Sequence, residues 1–210
     1  MREPDAPLLR AVERYYSGRL ETHGATARGV DWNSSESQTL RFEQLATLWK
    51  GQGGEIDLID YGCGYGALVD FLAERGARFR YQGFDISDAM IREAESRAGD
   101  GVRFTAAADR LVRADFVVAS GIFNVKLDST DGDWRDYMRR TVDTLAALSR
   151  RGFAFNALTT YSDADRRRPD LYYADPAFWF DYCTRAHSRF VALLHDYPLY
   201  EFTLLVRHPS

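Results

Sequence analysis

Apolar residues recur near the start of the chain at the spacing of one helix face. Leu8, Leu9, Val12, Tyr15, Tyr16 and Leu20 predict an amphipathic helix over residues 5–20, with Gly18 blurring its end. The glycine-containing stretch 23–30 reads as loop. A second helix follows to about Lys50, with Ser34 or Ser35 as its N-cap and Leu40, Phe42, Leu45, Leu48 and Trp49 on its apolar side. After the break Gly51-Gln52-Gly53-Gly54 the texture changes to short apolar runs alternating with helical patterns. Strands are predicted over 55–61, 79–85, 102–106, 115–120 and 152–157, and helices over 67–75, 88–97 and 134–149. This alternation implies a parallel sheet with crossover helices. The link between the third and fourth strands has room for no more than a turn or two. Residues 189–195 and 199–207 are again strand-like, with Asp196-Tyr197-Pro198 between them, and predict an antiparallel hairpin at the C-terminal end.

A chain of 210 residues, 45% apolar and 28% charged, suits one globular domain. It is expected to span residues 1–210, with 1–50 as a helical lid and 51–210 as the core. The formal net charge of −4 leaves no basic excess to neutralise a long run of phosphates, which argues against DNA as a partner. Arg166-Arg167-Arg168 reads as a solvated loop. Neither a secretory leader nor a membrane-spanning run is evident, so no membrane partner is expected. Cys63 and Cys183 are too few for a disulfide framework and lack the spacing of a metal site, and a reducing cytoplasm is the expected location.

The most informative segment is Ile56-Asp57-Leu58-Ile59-Asp60-Tyr61-Gly62-Cys63-Gly64-Tyr65-Gly66, a buried strand running into a glycine-rich bend before a helix. Glycine tolerates positive φ and lets a ligand approach the backbone with no Cβ in the way. The helix start adds free N–H groups and the positive end of its dipole. A dinucleotide site calls for G-x-G-x-x-G, whereas Gly62, Gly64 and Gly66 give G-x-G-x-G preceded by Asp60. One strand later, Tyr81-Gln82-Gly83-Phe84-Asp85 ends in a second acid, followed by Ile86 and, further on, Met90.

These residues resemble the class I S-adenosylmethionine-dependent methyltransferases, whose first motif is an acid, one residue, and G-x-G-x-G. The resemblance covers roughly residues 45–158 and implies an α/β, Rossmann-like fold: a mostly parallel sheet with helices on both faces, closed by the C-terminal hairpin. It implies S-adenosylmethionine as cofactor, with Gly62, Cys63 and Gly64 cradling it and Asp85 accepting hydrogen bonds from both ribose hydroxyls. Ile86 and Met90 would flank the adenine, and Ala108-Asp109 would meet its amino group. Ser120 and Gly121 would pass under the methionine part. Asp60 would either brace the bend or reach the methionine ammonium through water. Trp32 or Arg41 of the lid would touch the cofactor, although an ordinary surface salt bridge accounts for Arg41 equally well.

In open α/β sheets ligands bind at the carboxyl ends of the strands. The methyl acceptor is therefore expected near Asn124, Asn156, Thr159, Tyr161 and the pair Tyr172-Tyr173, the pair itself reading as half-buried packing. Methyl transfer is an in-line displacement that gains from alignment in a dry pocket, so a base is optional. The catalytic candidates are Asn124, Tyr161 and His195. Neighbours on a strand point to opposite faces, which argues against a His195–Asp196 pair. His187 reads as a polar helix residue, and no metal spacing is present. Ser120-Gly121-Ile122-Phe123 stands where methylases of nucleic-acid amino groups carry N-P-P-Y. A small-molecule acceptor, methylated on oxygen, is the expected substrate; an RNA methyltransferase working with a partner, or a non-catalytic cofactor-binding domain, are the alternatives. Oligomeric state is not readable from the sequence.

Overall fold

The computed structural model describes residues 6–32 and 34–209. The helix start at Asp5, the leader reading of Met1–Asp5 and Asn33 lie outside the described residues.

Seven strands form one sheet in the order β3-β2-β1-β4-β5-β7-β6. They are β1 Ile56–Tyr61, β2 Phe79–Phe84, β3 Val102–Thr105, β4 Ala114–Ala119, β5 Ser149–Leu158, β6 Phe190–Leu194 and β7 Glu201–Arg207. β1 to β5 pair in parallel, whereas β7 runs antiparallel between β5 and β6. The sheet is therefore Rossmann-like and mostly parallel, with the expected C-terminal hairpin. The hairpin inserts by its second strand: its connection runs from His195 to Tyr200, longer than the three-residue turn read from the sequence.

Alternation along the central strands supplies two cores. In β4, Ala114, Val117 and Ala119 face one side with Phe153 and Phe155 of β5; Phe116 and Val118 face the other with Leu58 and Ala154. The first side is covered by α1 (Ala6–His23), α5 (Asp131–Leu148) and α6 (Pro176–Ala186), the second by α2 (Ser35–Ala46) and α3 (Ala67–Glu74). A fully buried Leu, Val or Phe of this kind contributes about 1.5–3 kcal/mol by leaving water. α4 (Asp88–Ala94) packs on β3 and α1.

Several helix boundaries differ from the pattern, and one helix is missing from it. α1 continues through Gly18 to His23, because Gly18 sits on open surface where nothing competes with the helix, at a cost of about 1 kcal/mol relative to alanine. α2 stops at Ala46 and tightens into a 3-10 turn, Thr47–Trp49. It is Ser34 that caps it, in a reciprocal box with Ser37. Nothing in the hydrophobic pattern marks α6, yet Asp175 caps its first turn and Pro176 occupies its first position, a start signal carried by the Asp-Pro pair alone. Only a 3-10 turn, Ala108–Arg110, joins β3 to β4, as the short link predicts.

Candidate functional site

A cavity opens at the carboxyl ends of β1, β2 and β4. Its floor is the bend after β1. Gly62 and Cys63 donate backbone N–H bonds to Phe84 O at 2.7 and 2.9 Å, which ties the bend to the end of β2. Gly62 has φ +87°, and a Cβ built on it would stand 2.2 Å from Ile122 Cγ2, so both conformation and space demand glycine. Gly66, at φ +85°, is the N-cap of α3 without any side-chain cap, leaving the first N–H groups of that helix available. The Cys63 thiol, buried, is pushed well above its ordinary range by desolvation, which removes it as a nucleophile near neutral pH.

Two carboxylates face this floor. Asp60 is 2% exposed and its Oδ2 accepts from Tyr81 Oη at 2.7 Å; its buried Oδ1 has no hydrogen-bond partner among the described residues. Burial lifts its pKa to about 7 against the pull of the Tyr81 bond, with the nearby Asp85 charge adding to the rise. Asp85 directly follows β2, and its Oδ2 accepts from Gly64 N while Oδ1 accepts from Ser87 N, both at 2.9 Å. Burial raises its pKa too, the two backbone donors oppose the rise, and the charge of Glu13 adds to it. Ser120, at the end of β4, also holds a buried hydroxyl without a partner among the described residues.

The roof comes from α1 and the segment after it. Val12 and Tyr16 reach down from α1, and Val30 and Trp32 from the loop, where a 3-10 turn, Ala27–Val30, is capped by Thr26. Asp31, at φ 63°, turns the chain inward and is held by Tyr15 Oη at 2.9 Å and by Arg19 at 3.0 Å. Ser17 of α1 and Ser87, the N-cap of α4, share a hydrogen bond of 2.9 Å, so the roof is fastened beside Asp85. Gln38 and Phe42 of α2 and Tyr65, whose hydroxyl donates to Gln38 Oε1 at 3.0 Å, close one side.

Of the residues singled out in the sequence, Asp60, Gly62, Cys63, Gly64, Asp85, Ile86, Met90, Ser120, Gly121 and Trp32 line this cavity together. Ala108 and Asp109 line a second hollow under α5, which shares Tyr61, Phe84, Ile86 and Tyr137 with the first. The three catalytic candidates fall elsewhere. Asn124 is buried and accepts from Leu158 N through its side chain at 3.2 Å. Tyr161, 71% exposed, packs its ring against His195 outside the cavity. Asn156 accepts from Gly121 N at 2.7 Å and so holds the end of β4, while Tyr172 is packed in the core and Tyr173 Oη accepts from Arg168 N. Arg41 does form an ion pair, but a buried, bidentate one with Glu201 rather than one at the surface. His187 caps the C-terminal end of α6. In the sequence Val12, Tyr16 and Phe42 read only as helix-face positions, and neither they nor Val30 and Gln38 are assigned to the site, since their contacts with the bend span up to half a hundred positions and leave no local signature. No cluster of His, Cys, Asp or Glu suited to a metal occurs among the described residues, and no described helix is long and apolar enough to cross a membrane.

Comparison with known proteins agrees with this geometry. A family model described as a methyltransferase domain matches residues 58–146. The protein Rv1506c of Mycobacterium tuberculosis (strain ATCC 25618 / H37Rv), whose name assigns it to the methyltransferases, is 55% identical over 155 residues, covering 72% of this chain and 92% of that protein. Among solved structures, the magnesium protoporphyrin IX methyltransferase of Synechocystis PCC 6803 with bound S-adenosylhomocysteine superposes with a TM-score of 0.67 at 18% identity, covering 95% of this chain and 99% of that one. The N-methyltransferase NodS of Bradyrhizobium japonicum WM9 gives 0.65 at 17% identity, with 97% and 99% covered. At such identities the two structures speak to the fold.

Proposed function

Because the chain belongs to the class I S-adenosylmethionine-dependent methyltransferases, we propose that it transfers the methyl group to a small molecule, on oxygen, with the cavity above the Gly62–Gly66 bend as its active site. The observation that carries this reading is the buried Oδ1 of Asp60, without a partner among the described residues, beside a glycine-rich bend. A cationic amine satisfies such an oxygen, and the backbone at Gly62 and Gly64 accepts a flat ligand. Asp85, fixed on the adjoining strand, offers its carboxylate to a ribose; Ile86 and Met90 supply an apolar seat for the base. The second hollow continues from Ile86 to Ala108 and Asp109, which supports a role for those two beside the base. When bound, the cofactor supplies an electrophilic methyl; the chain aligns the acceptor and excludes water.

The acceptor side supports a neutral small molecule. None of the residues lining the cavity is Lys or Arg, so a polyanionic substrate finds no counter-charge there. With Asp60 and Asp85 turned to the cofactor, the rest of the lining includes Tyr16, Trp32, Gln38, Phe42, Tyr61 and Ile122, a set that can pack an apolar body and hydrogen-bond a hydroxyl. The roof, formed by described residues between Val12 and Phe42, is read together with the core as one domain. The two free, buried cysteines fit a reducing cytoplasm.

The test is to incubate the protein with radiolabelled methyl donor and fractionated cell extract, alongside calorimetry with S-adenosylhomocysteine. Label in a small O-methylated product is the expected result. Label entering only RNA or protein would defeat the small-molecule reading, and label on nitrogen would correct the acceptor atom.

A further inference from the structure

Trp32 is held in the cavity wall by residues far from it in sequence. The Arg41 guanidinium lies over its indole, 3.8 Å from the ring centroid. The far edge of the same ring sits on Gly121, where a Cβ would stand 2.2 Å from two indole carbons. Arg41 has no freedom left. Its Nε and Nη2 donate to Glu201 Oε2 and Oε1 at 2.8 and 2.7 Å, and Nη1 donates to Ser37 O at 2.8 Å. Arg41 and Glu201 are 7% and 1% exposed.

A buried ion pair is weakly stabilising at best, because desolvation offsets the attraction, so what it specifies matters more than what it adds. Here it specifies a plane. A guanidinium gripped by a carboxylate at two points cannot rotate, and a planar cation stacked on an indole fixes the indole in turn. We infer that Glu201, at the start of β7, is a positioning residue for the active site: by fixing the plane of Arg41 it sets Trp32 on Gly121 and closes the cavity at the end of β4. That end is where donor methyl and acceptor meet, and the inference rests on the methyltransferase reading of the cavity. The C-terminal hairpin thereby governs the wall of a site to which it contributes no lining residue.

The experiment measures binding of S-adenosylhomocysteine by calorimetry and quenching of tryptophan fluorescence by acrylamide in the full-length protein. Trp49, Trp134 and Trp179 are all buried in the cores, so new quenching reports Trp32. Glu201→Gln is expected to weaken binding about tenfold and expose one tryptophan, and Glu201→Asp to restore part of both. In a Trp32→Ala background, Glu201→Gln is expected to add nothing further to the loss of affinity. Should Glu201→Gln fail to fold, the pair Arg41→Met with Glu201→Leu removes both charges while keeping the packing, and the same loss is expected. Wild-type affinity with Trp32 still protected, in either variant, overturns the inference, as does an equal loss from Glu201→Gln with and without Trp32. A wild-type protein that binds no S-adenosylhomocysteine would instead overturn the functional reading itself.

Discussion

Tyr81 Oη donates to Oδ2 of Asp60 at 2.7 Å, and this single bond leaves Oδ1 of the same carboxylate buried at the ligand cavity without a partner among the described residues. The two residues lie on neighbouring strands, with Leu58 opposite Tyr81 and Asp60 opposite Gly83, so the sheet register brings the phenol up beneath the acid.

The first prediction follows from the half-satisfied carboxylate. Its pKa stands near 7 in the fold against an ordinary 3.8, so the folded state holds a proton that the unfolded chain has released. Its contribution to stability is full below the ordinary value and is lost as pH rises towards 7. Asp60→Asn should remove that contribution to the pH dependence of the melting temperature between pH 4 and 7. Ligand affinity should move the other way. An ammonium favours the ionised acid, so binding of S-adenosylhomocysteine should strengthen as pH rises to about 7 and fade only at the higher pH where the amino-acid amine loses its charge. Calorimetry across this range checks both limbs, and Asp60→Asn should lack the rising one.

How much of this was legible beforehand depends on the range of each contact. The strand, the bend and Asp85 could be read because β1, the glycines and β2 are consecutive, and each writes its own local pattern of apolar run, missing side chains and terminal acid. Arg41 and Glu201 stand 160 positions apart, and no periodicity links them; each alone reads as an ordinary charged residue. Trp32 suggested itself as a lid residue, but its seat on Gly121 depends on packing across the sheet. α6 was hidden for another reason. Its run Phe178-Trp179-Phe180-Asp181-Tyr182-Cys183 is aromatic on every side, and only Trp179 and Cys183 enter the core, so the helical period is masked by exposed Phe178 and Phe180.

Gly62→Ala should be destabilising even without ligand. The new methyl would meet Ile122 Cγ2 at 2.2 Å, and the φ of +87° adds strain of its own. Together these should cost about 2–3 kcal/mol. Ile122→Ala in the same chain should recover the steric part and leave about 1 kcal/mol for the left-handed backbone. Urea unfolding of the two variants measures the difference; full recovery would show that φ carries no cost here.

Asp85→Ala should lose ligand affinity and loop order together. Its two oxygens hold the N–H groups of Gly64 and Ser87, and hydrogen bonds to a charged group contribute about 1.5–3 kcal/mol each. An affinity loss of about a hundredfold for S-adenosylhomocysteine is expected, with faster amide exchange at Gly64 and Ser87. Unchanged affinity would remove Asp85 from the site, whatever became of the amides.

Acid stability should be set at the other end of the sheet. The rings of His187 and His208 both pack on Phe153, at 5.5 and 6.1 Å between centroids. His187 Nε2 lies 3.1 Å from Asp143 Oδ1, and His208 Nε2 is 2.8 Å from Ser149 Oγ. Burial holds both imidazoles below their usual range, against the pull of Asp143 on His187, and the charge of His187 lowers His208 further. For a base depressed in this way, stability is fully present above the ordinary value near 6.5 and is lost as pH falls below it. Asp60 acts with the opposite slope over a window that overlaps, so the wild-type melting temperature should vary little around pH 6. The double variant His187→Phe with His208→Asn should uncover the decline due to Asp60 on the alkaline side, while Asp60→Asn should uncover only the acid loss. Ser149 starts β5 and His208 follows β7, at the end of the strands opposite the cavity, so the histidine variant should bind S-adenosylhomocysteine as the wild type does. Melting curves from pH 4.5 to 8 decide the matter: parallel profiles for the wild type and both variants would mean that neither the buried acid nor the histidines link folding to protons.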